Sequence, residues 1–186
     1  MTLLIIGLAL WSVAHLMASI GLDIKQLWIS RLGENSYSLL AAVLIAGSLV
    51  LIVLGWRSAA AVTVYNPLES LRPVTLLLMV LAIMLFVASS HASRIKRIIQ
   101  HPQLTGVIAW SAGHLIQNGD TRSIALFGWL GIWAILEIIF INRRDGEWVK
   151  EAPPSWAIEA RYFAISFVVF VGVVFLHPYI SGVSIL

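Results

Sequence analysis

The sequence predicts an all-α fold, a polytopic bundle of about six transmembrane helices. Of its 186 residues, 60% are hydrophobic and only 11% are charged, whereas a soluble domain is about a quarter charged. The mean hydropathy of +0.93 is too high for one water-soluble core, so lipid must be the solvent for most of the surface. In lipid only helices or closed barrels satisfy their backbone polar groups. The apolar runs are continuous rather than alternating, which excludes a barrel.

Six apolar segments are separated by polar connectors. We predict spans over Leu3–Ile20, Tyr37–Trp56, Val74–Ser90, Gln103–Gln117, Ser123–Ile141 and Ile158–Leu176. The fourth is shorter than the roughly 17–25 residues that cross a bilayer, so it must be steep, sheltered by neighbours, or in locally thinned lipid. The polar residues 21–35 are expected at the membrane interface. No internal repeat and no large soluble segment stand out, which predicts a single domain over residues 1–186.

The basic residues predict how the chain is oriented. Nine of the twelve Lys and Arg residues fall after the first, third and fifth spans. Because Lys and Arg favour the cytoplasmic side, we predict that both termini lie outside. The N-terminus has no basic region before its first apolar run, so we expect a retained span rather than a cleaved signal peptide.

Several function classes are excluded by what the chain lacks. With no cysteine, it has no disulfide, thiolate metal site or thiol nucleophile. The basic residues are explained by topology and leave no nucleic-acid footprint. No Ser-His-Asp order, paired catalytic carboxylates, phosphate-binding glycine loop or HExxH motif stands out, so soluble-type hydrolysis and nucleotide chemistry are unsupported.

Ionisable residues inside spans are rare and costly, and three are clear candidates for a functional role: His15, His114 and Glu137. Neutral imidazole binds haem iron, zinc or copper, and two histidines on different spans can hold one haem iron. The alternative is that each histidine only forms a hydrogen bond across a helix pair. The span limits place His15 and His114 in opposite halves of the bilayer, about 9 Å apart in depth at 1.5 Å per residue.

The remaining polar residues have structural explanations. Glu137 is expected to snorkel or to pair with Arg143 or Arg144, with proton relay as the alternative. We expect His101 to cap the fourth span, His177 to close the sixth, and His91 to lie among headgroups. Asn118-Gly119-Asp120 predicts a turn, and Asp120 could also orient the His114 ring.

Four tryptophans lie deep within predicted spans: Trp11, Trp110, Trp129 and Trp133. Core packing explains them, and flanking a planar ligand is the alternative.

Residues 101–120, HPQLTGVIAWSAGHLIQNGD, resemble the signature of the NnrU family of bacterial membrane proteins. The resemblance covers nearly the whole chain and includes Ala14-His15, Arg31, Gly33-Glu34, Tyr37, Tyr65, Pro67, Arg143-Arg144 and His177-Pro178.

This resemblance implies a multi-pass protein of the bacterial inner membrane, linked to denitrification and nitric oxide metabolism. The plant relatives are zeta-carotene isomerases that carry haem b on two histidines, with a nearby cysteine as a redox-dependent alternative ligand. The similar positions here are His15 and His114 for the histidines and Ser111 for the cysteine, with Trp110 beside them as a further cofactor-binding residue. Serine cannot supply a thiolate, so this position departs from the plant pattern.

Three classes of function follow. The first is a haem b membrane protein, acting in nitrogen-oxide metabolism or in cis-trans isomerisation of a lipophilic polyene. The second is a non-enzymatic accessory protein, or a redox or nitric oxide sensor, whose histidines are structural. The third is a small transporter, which the scarcity of buried charge and the absence of a repeat disfavour. Membrane lipid is the one expected partner from composition alone.

Overall fold

The computed structural model describes residues 1–182 and, of Ile180, the backbone alone. Within this range the chain is helical, and its β structure is limited to an isolated bridge between Thr63 and Asp120. The helices are α1 (Thr2–Ser19), α2 (Leu22–Leu32), α3 (Glu34–Ser58), α4 (Arg72–Ser89), α5 (Pro102–Gln117), α6 (Thr121–Asp145) and α7 (Trp156–Ser181). Short 3₁₀ turns cover Glu69–Leu71 and Arg94–Arg97, and α6 contains a π-helical turn at Ile124–Gly128.

The predicted fold class is confirmed. Five helices (α1, α3, α4, α6 and α7) are long and apolar enough to cross a membrane, and the 16-residue α5 corresponds to the short fourth span. The predicted interfacial segment forms α2, which has no buried residue. The protein is therefore a multi-pass helical membrane protein with about six spans.

The chain forms two units, each built from two separate stretches of sequence. The first unit contains Met1–Pro67 and Asn118–Glu147, and therefore α1, α2, α3 and α6. The second contains Leu68–Gln117 and the chain from Trp148 onward, and therefore α4, α5 and α7.

Glycine allows close helix packing in the first unit. A Cβ atom at Gly55 of α3 would lie 2.2 Å from the backbone nitrogen of Leu4 in α1, and one at Gly7 would lie 2.8 Å from that of Ile52. Leu4 and Leu8 beside this contact are fully buried. Small residues let two backbones approach in this way in membranes, where van der Waals packing drives helix association.

The second unit uses the same device between α4 and α5. A Cβ atom at Gly106 would lie 2.9 Å from the Phe86 ring, and one at Gly113 would lie 2.4 Å from the terminal methyl of Met79. The short helix α5 is thus held tightly against α4 within its unit.

One predicted boundary is wrong. The sixth span was expected to stop at His177-Pro178, but α7 continues to Ser181 and ends at Gly182, which has a φ of +78° and donates its N–H to the Pro178 carbonyl. A glycine with positive φ is a common helix terminator. His177 therefore lies inside the helix rather than at its end.

Candidate functional site

His15 is oriented by its own helix. Its Nδ1 lies 2.9 Å from the carbonyl oxygen of Trp11, four residues earlier in α1. A carbonyl can only accept, so Nδ1 carries the proton, and in the neutral ring Nε2 has the lone pair. This is the arrangement typical of metal-binding histidines, in which one ring nitrogen is fixed by an acceptor and the other binds the metal.

Aromatic rings surround His15 within the first unit. The centroid of its ring lies 4.1 Å from the Trp11 ring centroid and 5.1 Å from that of Trp133, which is on α6. The two indoles meet edge to face at 5.5 Å. Both indole Nε1 atoms are buried and have no hydrogen-bond partner among residues 1–182. An unpaired buried donor costs about 1–3 kcal/mol, so the surroundings of His15 suit a ligand that carries acceptor atoms.

Glu137 lies one helical turn beyond Trp133 and is only 3% exposed. Its carboxylate accepts a hydrogen bond from the Ser19 hydroxyl, one turn beyond His15 on α1. Among residues 1–182 Glu137 forms no close ion pair with Arg143 or Arg144, although its charge acts on Arg144 at longer range. Arg144 instead pairs with Asp145 at 2.6 Å and donates to the Ala18 carbonyl. Ser19 can form this hydrogen bond because its side chain and that of Glu137 both lie at the contact between α1 and α6.

In the second unit, His114 is held in the same way. Its Nδ1 lies 2.9 Å from the carbonyl oxygen of Trp110, so Nε2 again carries the lone pair. The ring lies 5.0 Å from that of Trp110. The carbonyl of Trp110 therefore orients His114 through Nδ1.

Two further side chains accompany His114. The His177 ring from α7 stacks on it, with centroids 6.4 Å apart and planes at 28°. Ser111 is buried on α5, and its hydroxyl has no hydrogen-bond partner in the described part of the chain. The sequence did not indicate His177 as a neighbour, because its proline was interpreted as the end of the helix.

The two histidines share a short local repeat, which corrects the prediction that the chain has no internal repeat. The pattern Gly-x₃-Trp-Ser-x₂-His-Leu occurs at residues 7–16 and again at residues 106–115. In each copy the glycine packs against the neighbouring helix, α3 or α4, and the tryptophan carbonyl orients the histidine. The same ten-residue element thus positions one imidazole in each unit.

Asp120 has a structural role at the start of α6. Its carboxylate accepts hydrogen bonds from the backbone N–H groups of Arg122 and Ser123 and from the Ser123 hydroxyl. Burial opposes ionisation, but these hydrogen bonds and the Arg122 charge outweigh it and hold the pKa of Asp120 below its ordinary value. Burial and the Asp120 charge together raise the pKa of Tyr65. Asn118-Gly119-Asp120 forms the short connection between α5 and α6 that the sequence predicts, and Asp120 is the N-cap of α6.

A sequence model of the NnrU protein family matches residues 3–185. The chain belongs to the NnrU family. No curated protein and no solved structure matches it significantly. Membership covers nearly the whole chain, and both copies of the histidine element lie within the matched residues.

The donor set of this NnrU protein suits some metals better than others. Among residues 1–182 no group of three or more His, Asp or Glu side chains is arranged to hold a metal ion. Structural and catalytic zinc sites require three or four protein ligands. Haem iron needs one or two, because the porphyrin supplies the other four. Each of His15 and His114, oriented through Nδ1, could supply one such ligand.

Proposed function

We propose that this NnrU protein binds haem b in the membrane, with His15 and His114 as its axial ligands. One observation carries the proposal: each imidazole donates Nδ1–H to the tryptophan carbonyl four residues earlier, within the same ten-residue element. Each Nε2 then has the lone pair that iron requires, without any change of tautomer.

The residues around the two imidazoles support this assignment. The carbonyls of Trp11 and Trp110 fix ring orientation and hold the Nδ1 protons. The indole N–H groups of Trp11 and Trp133 are suited to acceptor atoms such as the haem carboxylates. Ser111 occupies the position similar to the plant cysteine, so no thiolate is available there to replace a histidine.

Haem held by two histidines supplies reversible one-electron transfer. If both His15 and His114 held the iron, no position would remain on it for a substrate, which would favour a redox accessory or sensor in nitrogen-oxide metabolism. Isomerisation of a lipophilic polyene, the activity of the plant relatives, comes second because Ser111 departs from their ligand pattern.

The haem content of purified protein tests the binding proposal. The chain is expressed with haem supply, purified in detergent, and assayed for haem b per polypeptide by the pyridine haemochrome method. We expect close to one haem per chain in the wild type and a large loss in both His15→Ala and His114→Ala. His91→Ala is the matched control, because that ring stacks on Tyr162 and lies outside the repeated element. Full haem retention in both test variants would overturn the proposal.

The role is tested separately, in cells and with polyene. A redox accessory role predicts that deletion slows nitrite or nitric oxide reduction, and that His114→Ala fails to restore it. An isomerase predicts that haem-loaded protein changes the isomer composition of an added cis-carotene. Isomerisation without any nitrogen-oxide phenotype would reverse our ranking of the two roles.

A further inference from the structure

A basic cavity in the second unit is lined by residues outside the repeated histidine element. It has a volume of about 120 Å³, between the connector that follows α4 and the segment that precedes α7. Its polar lining comprises Ser93, Lys96, Arg97, Gln100 and Glu151, and Trp148 forms part of its wall. Since a water molecule needs about 10–15 Å³ of such space, the cavity admits a group of the size of a phosphate.

Two cations face this cavity without a carboxylate partner. Within residues 1–182, neither Lys96 nor Arg97 lies within the 4.0 Å of a carboxylate oxygen that defines an ion pair. Arg97 instead donates Nη1–H to the backbone carbonyl of Glu151 at 2.7 Å, which ties the connector to the opposite wall. Both side chains are partly buried. Their charges are therefore concentrated at the cavity and remain available to an anion.

The connector is fixed in position rather than loosely attached. Glu159, in the first turn of α7 and 3% exposed, accepts hydrogen bonds from the Ser93 hydroxyl at 2.8 Å and the Arg94 backbone N–H at 3.0 Å. The Arg94 guanidinium lies 3.9 Å from the centroid of the Trp156 ring. The 3₁₀ turn that presents Lys96 and Arg97 is thus held by a buried carboxylate, and such preorganisation reduces the entropy cost of binding.

Exposed apolar side chains lie beside cavity-lining residues in the sequence. Ile98 is 80% exposed directly after Arg97, and Val149 is 84% exposed between Trp148 and Lys150. The Lys150 ammonium lies 4.5 Å from the Trp148 ring centroid. Tryptophan, lysine and arginine with exposed aliphatic neighbours are typical of chain at the lipid–water boundary. A soluble phosphate would gain nothing from Ile98 and Val149, whereas a phospholipid would place its acyl chains against them.

We propose that this cavity binds the phosphate headgroup of an anionic phospholipid, with Lys96 and Arg97 as the charged contacts. Basic pockets at the cytoplasmic ends of membrane helices bind such headgroups, and the predicted orientation places this connector on that side. The proposal is independent of haem and can fail or succeed without it.

Protein in nanodiscs of phosphatidylcholine, with or without phosphatidylglycerol, tests the proposal. We expect phosphatidylglycerol to raise the temperature at which half of the protein loses its monodisperse gel-filtration peak, and salt to reduce this rise. The variant Lys96→Gln/Arg97→Gln should lose the rise. Arg31→Gln/Arg57→Gln is the matched control, because it removes the same charge from two exposed arginines outside the cavity and should keep the rise.

Each other outcome is decisive. A wild type without the rise, or a double variant that retains it, would overturn the proposal. An equal rise from inorganic phosphate alone would assign the cavity to a soluble anion instead of a lipid. If the double variant does not fold, Lys96→Gln alone serves, because within residues 1–182 the Lys96 side chain makes no hydrogen bond or ion pair. A Lys96→Gln variant with the full rise would likewise refute the role of this cation.

Discussion

Replacing Gly55 by alanine tests the helix contact that positions α1, and with it His15. The added Cβ would lie 2.2 Å from the Leu4 backbone nitrogen and 2.5 Å from its Cα. Ordinary van der Waals contact begins at 3.4 Å, so the two helices must separate by about 1.2 Å. Because the obstacle is backbone rather than a flexible side chain, no rotamer change can relieve it.

The expected cost follows from this geometry. Overpacking a close contact costs about 1–3 kcal/mol, and each kcal/mol lowers the melting temperature by roughly 2–4 °C in a protein of this size. We therefore expect Gly55→Ala to lower the melting temperature by several degrees.

Thermal unfolding in detergent, monitored by tryptophan fluorescence, measures the effect. Gly47→Ala is the matched control: it lies in the same helix, and nothing lies within 4 Å of its added Cβ, so it should be neutral or slightly stabilising, because alanine favours helix over glycine. Equal melting temperatures for the two variants would refute the close α1–α3 contact.

Three further predictions concern polar and turn contacts of the first unit. Glu137→Ala should cost about 1–3 kcal/mol by leaving the buried Ser19 hydroxyl without its acceptor, whereas Glu137→Gln should cost less, as thermal unfolding will show. Asp120→Asn should destabilise at neutral pH. Because the folded-state pKa of Asp120 is lowered, its contribution is present above its ordinary value of 3.8 and is lost as pH falls through the folded pKa, so the difference between variant and wild type should shrink below about pH 4 in a pH series of unfolding. Gly119→Ala should destabilise strongly, because its Cβ would lie 1.9 Å from the Tyr65 carbonyl oxygen, and protease resistance in detergent will report the loss.

A specific result would contradict each of these predictions. Equal stability of Glu137→Ala and wild type would mean that the Ser19 contact contributes nothing. A pH-independent effect of Asp120→Asn would refute the ionised cap. Gly128→Ala, where nothing lies within 4 Å of the added Cβ, is the control for the Gly119 change and should be tolerated.

Much of the fold was predictable because a bilayer restricts the backbone of a spanning segment to very few structures. Long apolar runs must be helical in a bilayer, and the predicted spans match the helices to within a few residues at most ends. The end of α7 is the exception. Pro178 predicts the end of the helix, but proline is tolerated near the end of a membrane helix.

The site was predictable only in part. Imidazoles at positions 15 and 114, inside predicted spans, stand out in any hydropathy analysis, but their tryptophan acceptors depend on side-chain rotation that sequence does not specify. The contact between Ser19 and Glu137 joins residues 118 positions apart, and nothing in their local sequences pairs them. The repeated Trp-Ser-x₂-His-Leu is visible in the sequence. Only the structure shows that the tryptophan carbonyl of each copy accepts a hydrogen bond from its histidine.

The most direct test of the central claim is the reduced-minus-oxidised absorption spectrum of the purified protein beside that of His15→Ala/His114→Ala. Our account predicts a haem b Soret band with sharp reduced α and β bands in the wild type, as six-coordinate iron with two histidines gives, and their loss in the double variant. A wild type without a Soret band, or a double variant with an unchanged spectrum, would contradict it.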